Sequence, residues 1–155
     1  MDMTVREFMD KHGACKDGRA WALANCKSMH DVWDKSRPDW LVWVATREGV
    51  LTDREARLFA CWCVRKVWHL LSDKRSKIAV EVAERYAVCK ATDDELSAAW
   101  DAAGAAAGVA AWDAAGDAAW DAAWDAAWDA AWDAQEKYLR KKCTPNFSDG
   151  AGGEG

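Results

Sequence analysis

The chain has 155 residues, 51% of them hydrophobic, and a formal net charge of −5. That length suits one compact domain with a real core, and the missing strand-type alternation, with only two Pro, points to an all-α fold. No apolar run approaches the roughly 20 residues of a membrane-spanning helix, and the charged N-terminus, from Met1 to Phe8, lacks the apolar centre of a secretion signal.

The first helix is expected from Val5 to about His12, started by a Thr4/Glu7 capping box and ended by Gly13. A second follows Asp17-Gly18, carries Trp21, Leu23 and Ala24, and ends near Cys26. A short helix around Val32-Trp33 leads to Arg37-Pro38. Pro38 suits the first position of the next helix, Asp39 to Thr46, because its missing amide is an orphan there anyway. Glu48-Gly49 breaks that helix. Residues 52–71 are expected as one helix behind a second box, Thr52/Glu55. Its broad apolar side, from Leu58 and Phe59 through Cys61 and Trp62 to Trp68, predicts a central, largely buried element. Ser72-Asp73 opens another, with Ile78, Val82, Arg85, Tyr86 and Cys89 on one stripe. A third box, Thr92/Glu95, starts the last helix, which closes on Lys137, Arg140, Lys141 and Lys142 before Thr144-Pro145.

That last helix carries the strongest signal in the chain. From Trp100 to Trp132 a phase position recurs every four residues: Trp100, Gly104, Gly108, Trp112, Gly116, Trp120, Trp124, Trp128 and Trp132. Asp follows the phase position at 101, 113, 117, 121, 125, 129 and 133, and nearly all the rest is Ala. Fifty helical residues would extend ~75 Å, against a radius of gyration of ~15 Å for a domain of this size. A break is therefore expected at Gly104-Gly108. Each tetrad turns the phase position by ~40° in a regular helix, so indoles and carboxylates trace two parallel right-handed spirals. Local π-bulges would instead keep the indoles on one face. The indoles can form a core wrapped by the N-terminal helices, or they can stay exposed as anchors for a partner. Tandem duplication of a tolerated unit also explains the near-identical repeats.

Charge is segregated along the chain. Residues 1–92 hold 17 Lys/Arg and 13 Asp/Glu, whereas residues 93–136 hold 11 acids and no base. The acidic helix either steers a basic partner or is neutralised by the basic helices of its own fold. Stacking of single-stranded nucleic acid on the Trp is excluded, since stacking platforms sit in basic grooves and Asp adjoins every indole here. The carboxylate array could instead imitate a phosphate backbone.

Signals for chemistry are weak. His12-x2-Cys15 and Cys26-x3-His30 are two short-spaced ligand pairs that could in principle close on zinc. Their order matches no standard finger, and they straddle a helix, so ordinary His and buried Cys are expected. Cys61 and Cys63 point ~200° apart on a helix and are expected in the core. A Cys nucleophile with His69 lacks an orienting third residue. There is no Gly-rich phosphate loop and no Ser elbow. The six Cys, at 15, 26, 61, 63, 89 and 143, are expected as free thiols in a reducing cytoplasm.

A series of motifs resembles a known family. Gly13-Ala14-Cys15-x2-Gly18-x2-Trp21-Ala22 is followed by Arg37-Pro38-Asp39-Trp40-Leu41-x-Trp43. Arg57-Leu58-Phe59-Ala60-Cys61-Trp62-Cys63-x-Arg65-x2-Trp68-His69-Leu70-Leu71 comes next. Ser76, Ala79-Val80-Glu81-x-Ala83-Glu84-Arg85-Tyr86-Ala87 and the Ala/Trp-rich helix complete the series. Over about residues 12–135 the chain resembles the small bacterial and phage immunity-protein family linked to polymorphic-toxin systems. The resemblance implies an all-helical, cytoplasmic, non-enzymatic protein that neutralises a partner by binding, and it carries no active site.

These readings combine into one expectation. Residues 1–142 form a single compact domain of about six to seven helices, with 1–91 as N-terminal helices, 92–142 as the repeat helix and 143–155 as a flexible tail. The protein is expected to be an immunity or inhibitor protein without cofactor, metal, direct nucleic-acid binding or membrane attachment. Its partner is expected to be a protein with a basic surface. The partner-binding residues are expected to be Asp113, Asp117, Asp121, Asp125, Asp129 and Asp133, with Trp120, Trp124, Trp128 and Trp132. A phage anti-defence inhibitor that mimics nucleic acid is the alternative, and a metal- or Cys-dependent enzyme is the alternative of another class. Oligomeric state stays open.

Overall fold

The structure is a computed structural model that describes residues 1–66, 68–71, 73–102 and 121–148, with the side chains of 70 and 121–130 outside the description. The fold is all-α, and among the described residues there is no strand, only one isolated bridge between Asp2 and Ser148. The helices are α1 (Val5–Lys11), α2 (Lys16–Asn25), α3 (Met29–Lys35), α4 (Pro38–Ala45), α5 (Asp53–Lys66), α6 (Lys74–Ala87), α7 (helical residues 93–102) and α8 (Asp121–Lys142). A short 3₁₀ turn, Trp68–Leu70, lies between α5 and α6. Two compact units divide the chain: residues 1–52 with 130–155, and residues 53–129.

Local chemistry sets the helix starts in the first unit. Thr4 and Glu7 form a full capping box: Thr4 Oγ1 accepts from Glu7 N at 3.3 Å, and Glu7 Oε2 accepts from Thr4 N at 2.8 Å. Gly13 follows with φ +65°, the left-handed conformation that lets the chain leave α1. α2 begins at Lys16, ahead of the Asp17-Gly18 pair it was expected to follow, and the Cys15 thiol caps it, accepting from Gly18 N at 3.4 Å. Ser28 caps α3 through Asp31 N at 3.2 Å, and Pro38 opens α4 as expected. The core of this unit is Phe8, Met29, Val32, Trp33, Leu41, Val44, Val50, Leu139 and Phe147, all buried.

Residues 143–148, read from sequence as the start of a flexible tail, are instead tied into this core. Phe147 is 1% exposed and stands against Phe8, His30 and Trp33. Its carbonyl accepts from Met3 N at 2.8 Å, and Asn146 N donates to Val50 O at 2.8 Å. The tail-like composition hid one aromatic large enough to fix the backbone on either side. Residues 149–155 lie outside the described residues.

The second unit departs from its sequence pattern in two places. α5 ends at Lys66 and does not run to 71, and only Phe59 and Cys61 are buried in it. In α6 the buried face is Val82, Ala83 and Ala87, while Ile78 is 45% exposed and Arg85 and Cys89 are exposed too. The packed face is thus rotated from the expected stripe toward Ala83 and Ala87, sharing only Val82 with it. Arg65 fixes that pair through a two-pronged bond to Glu84 at 2.8 and 2.6 Å. Tyr86 Oη donates to Asp93 at 2.5 Å, and Arg85 pairs with Glu95 at 3.5 Å, so α6 also holds the start of α7. The Thr92/Glu95 capping box is formed, at 2.8 and 3.2 Å.

Candidate functional site

The described part of the repeat is a regular α-helix. α8 runs without interruption from Asp121 to Lys142, which removes the π-bulge alternative over that stretch. Positions 121, 125, 129 and 133 therefore rise ~6 Å per step and turn ~40° each time. Asp133 is exposed and Trp132 half-buried. Asp121, Asp125, Asp129, Trp124 and Trp128 are placed on the helix by backbone alone. Asp113, Asp117, Trp120 and the expected break at Gly104-Gly108 lie outside the described residues. Upstream, Trp100 on α7 is 67% exposed.

What holds the C-terminal end of α8 is one leucine and one arginine. Leu139 is fully buried. Arg140 reaches α3 and closes its C-terminus: Nε donates to Trp33 O at 3.1 Å and Nη2 to Ser36 O at 2.8 Å. Nη1 bonds Glu136, one turn earlier, so the guanidinium is matched in charge as well as in hydrogen bonds. A cation on the last carbonyls of a helix is the sign its dipole prefers. Burial pulls the Arg140 pKa below its ordinary value, with Asp34 opposing, but a guanidinium titrates so high that it stays charged. Within the first unit the C-terminal end of α8 is thus held by a specific polar lock and an apolar plug. The order of Glu136 before Arg140 is visible in sequence as a favourable i,i+4 pair. Its partners on α3, more than a hundred residues away, are not.

The candidate metal ligands are not brought together. His12 lies on the Phe8 ring at 4.5 Å, and its pKa is lowered by burial first, then by Lys11 and Arg47. Cys15 caps α2, while Cys26 sits at the other end of the same helix with its thiol pKa raised by burial. His30 stands 5.2 Å from Phe147, with Nδ1 3.8 Å from Asp2. Among the described residues no three His, Cys, Asp or Glu side chains converge on an ion position. None of the six Cys is in a disulfide. Cys61 is buried, its pKa raised by burial and then by Glu84, which disfavours the thiolate a nucleophile needs. Cys63 is half-buried rather than core.

Among the described residues no helix is long and apolar enough to cross a membrane. Comparison with protein-family models, with curated proteins and with solved structures found no match.

Proposed function

We propose that this chain is a non-enzymatic inhibitor of the immunity type, which neutralises a toxin or other effector by direct protein–protein binding. Its acidic repeat helix steers a partner with a basic surface. The observation that carries this reading is that the acidic positions 121, 125, 129 and 133 ride on one continuous α-helix whose C-terminal end is held by Leu139 and Arg140. A fixed array of one sign of charge concentrates a partner of the other sign and speeds encounter, and salt weakens the effect. The segment from 93 to 136 has 11 acids and contains no base of its own, and of these Glu95 and Glu136 pair with Arg85 and Arg140 from outside it. The motif series between Gly13 and Ala87 adds the resemblance to the immunity-protein family.

The test is a tagged full-length chain used as bait in lysate of its native host, with the captured partner then purified. The variant carries Asp121→Asn, Asp125→Asn, Asp129→Asn and Asp133→Asn together. The expected result is a helical variant by circular dichroism with at least ~10-fold slower association, the native rate falling toward it as salt rises. Equal rates for both chains at low salt would sink the steering role. Release of the partner by excess DNA duplex would move the reading to nucleic-acid mimicry.

A further inference from the structure

The turn from α5 into α6 gathers positive charge. Between Trp62 and Ile78 the chain holds Arg65, Lys66, Lys74, Arg75 and Lys77 against one acid, Asp73. Two of these bases serve the fold: Arg65 is held by Glu84 at 2.8 and 2.6 Å, and Arg75 by Asp73 at 3.1 and 2.8 Å. Lys66, Lys74 and Lys77 form no ion pair among the described residues. Glu81, exposed one turn beyond Lys77, pairs with none of them.

Two of the three ammonium groups are nonetheless held in place. Lys66 Nζ lies 4.9 Å from the centre of the Trp62 ring, and Lys77 Nζ 5.7 Å from that of Trp68, which Arg65 also covers at 4.0 Å. Indole faces attract cations, and a charge already positioned loses little freedom when it meets an anion. Nucleic-acid bases, by contrast, would find these indole faces occupied, since Trp62 also stacks on Phe59. Lys74 and Arg75 open α6 and Lys77 completes its first turn, where no acid stands. The helix dipole favours anions at that end, so helix stability does not account for these bases.

The opposite charge stands on the same chain. α8 carries Asp121, Asp125, Asp129 and Asp133 at four-residue intervals, a rise of ~6 Å per step. Asp133 is exposed and forms no ion pair among the described residues. The three lysines and Asp133 are thus left without a counter-charge in one chain, and every copy carries both sets. A contact between unlike patches is heterologous, so each copy meets one neighbour through its turn and another through its helix.

We propose that the α5–α6 turn is a docking surface for the acidic repeat helix of a second copy of this chain, made through Lys66, Lys74 and Lys77 and weakened by salt. It shares with the inhibitory reading only the acidic helix, and its test uses no effector, so either can fail alone.

The test is sedimentation velocity of the full chain over a range of concentrations, at ionic strengths of about 0.01 M and about 1 M, where charges are screened beyond roughly 30 Å and 3 Å. At low ionic strength the mean mass is expected to rise with concentration, with a dissociation constant of about 0.1 mM or tighter. At high ionic strength the chain is expected to be monomeric. One variant carries Lys66→Gln, Lys74→Gln and Lys77→Gln, the other Asp121→Asn, Asp125→Asn, Asp129→Asn and Asp133→Asn, and both are checked for helix content by circular dichroism. Each alone is expected to stay monomeric at low ionic strength, because each lacks one side of the contact. Their equimolar mixture is expected to form 1:1 pairs, one variant supplying the helix and the other the turn. The salt series on the native chain stands without either variant. A native chain that stays monomeric at low ionic strength, association that survives in either variant alone, or a mixture that stays monomeric would each overturn the proposal. A monomeric native chain that binds oligothymidylate through the three lysines would give the turn to nucleic acid instead.

Discussion

Phe147 stands edge-on to Phe8, ring centroids 5.7 Å apart and planes at 85°, so the last aromatic of the chain closes on its first helix. Both rings are buried. Truncating a buried Phe removes its transfer energy and leaves a cavity that relaxes only in part. Phe147→Ala is expected to cost about 3–5 kcal/mol in urea unfolding. A chain ending at Ser148 is expected to keep native stability, since the bonds at Asn146 and Phe147 survive. Equal stability of Phe147→Ala and native protein would show that the C-terminal segment is not part of the core.

Helix existence was legible in the sequence because capping signals are local. Thr4 with Glu7, Thr92 with Glu95 and Pro38 marked starts that the structure keeps. Cys15 as a cap was not legible, since sulfur is a weak acceptor and Cys is outside the usual capping set. Phe147 and Arg140 were missed for another reason: each acts on residues far away in the chain, and periodicity carries no information about which helix faces which. The same limit hid the surface cleft lined by Trp21, Trp40 and Trp43, whose indoles come from α2 and α4. Of the candidate partner-binding residues, Asp133 and Trp132 alone have described side chains.

Arg140 joins α8 to the end of α3 through two carbonyls and pairs with Glu136. Replacing it by Met keeps the stem and removes every donor, leaving Ser36 O and Trp33 O without those bonds. A hydrogen bond from a charged group contributes ~1.5–3 kcal/mol, so Arg140→Met is expected to lose about 2–3 kcal/mol. Arg140→Lys recovers only part of it, because an ammonium cannot span both carbonyls and Glu136 in the planar geometry of a guanidinium. Amide exchange should rise first at the α3 C-terminus. A Lys variant as stable as native would mean that charge alone, not the fork, holds the joint.

His12 predicts a pH dependence. Its folded pKa is lowered, by burial above all and then by Lys11 and Arg47, with Glu48 opposing. A base with a lowered folded pKa is neutral in the fold while the unfolded chain still takes up a proton. Its contribution is therefore complete above the ordinary histidine value of about 6.5 and is lost as pH falls from there through the folded pKa. The urea midpoint is expected to drop between about pH 7.5 and 5.5, and the drop should shrink in His12→Asn. Identical pH profiles for the two chains would remove His12 from the account.

Cys15 caps α2 with a thiol, 3.4 Å from Gly18 N. Serine is the better acceptor at this position, and its shorter side chain leaves the β/extended backbone of the cap, φ −61° and ψ 154°, unchanged. Cys15→Ser is thus expected to match or exceed native stability, and Cys15→Ala to fall below Cys15→Ser by about 0.5–2 kcal/mol, the worth of an N-cap oxygen. The comparison of Ser with Ala isolates the capping bond, because both remove the sulfur from the Trp-lined cleft. If Cys15→Ala proves as stable as Cys15→Ser, the start of α2 is set by Trp21 and Ala22 packing rather than by its cap.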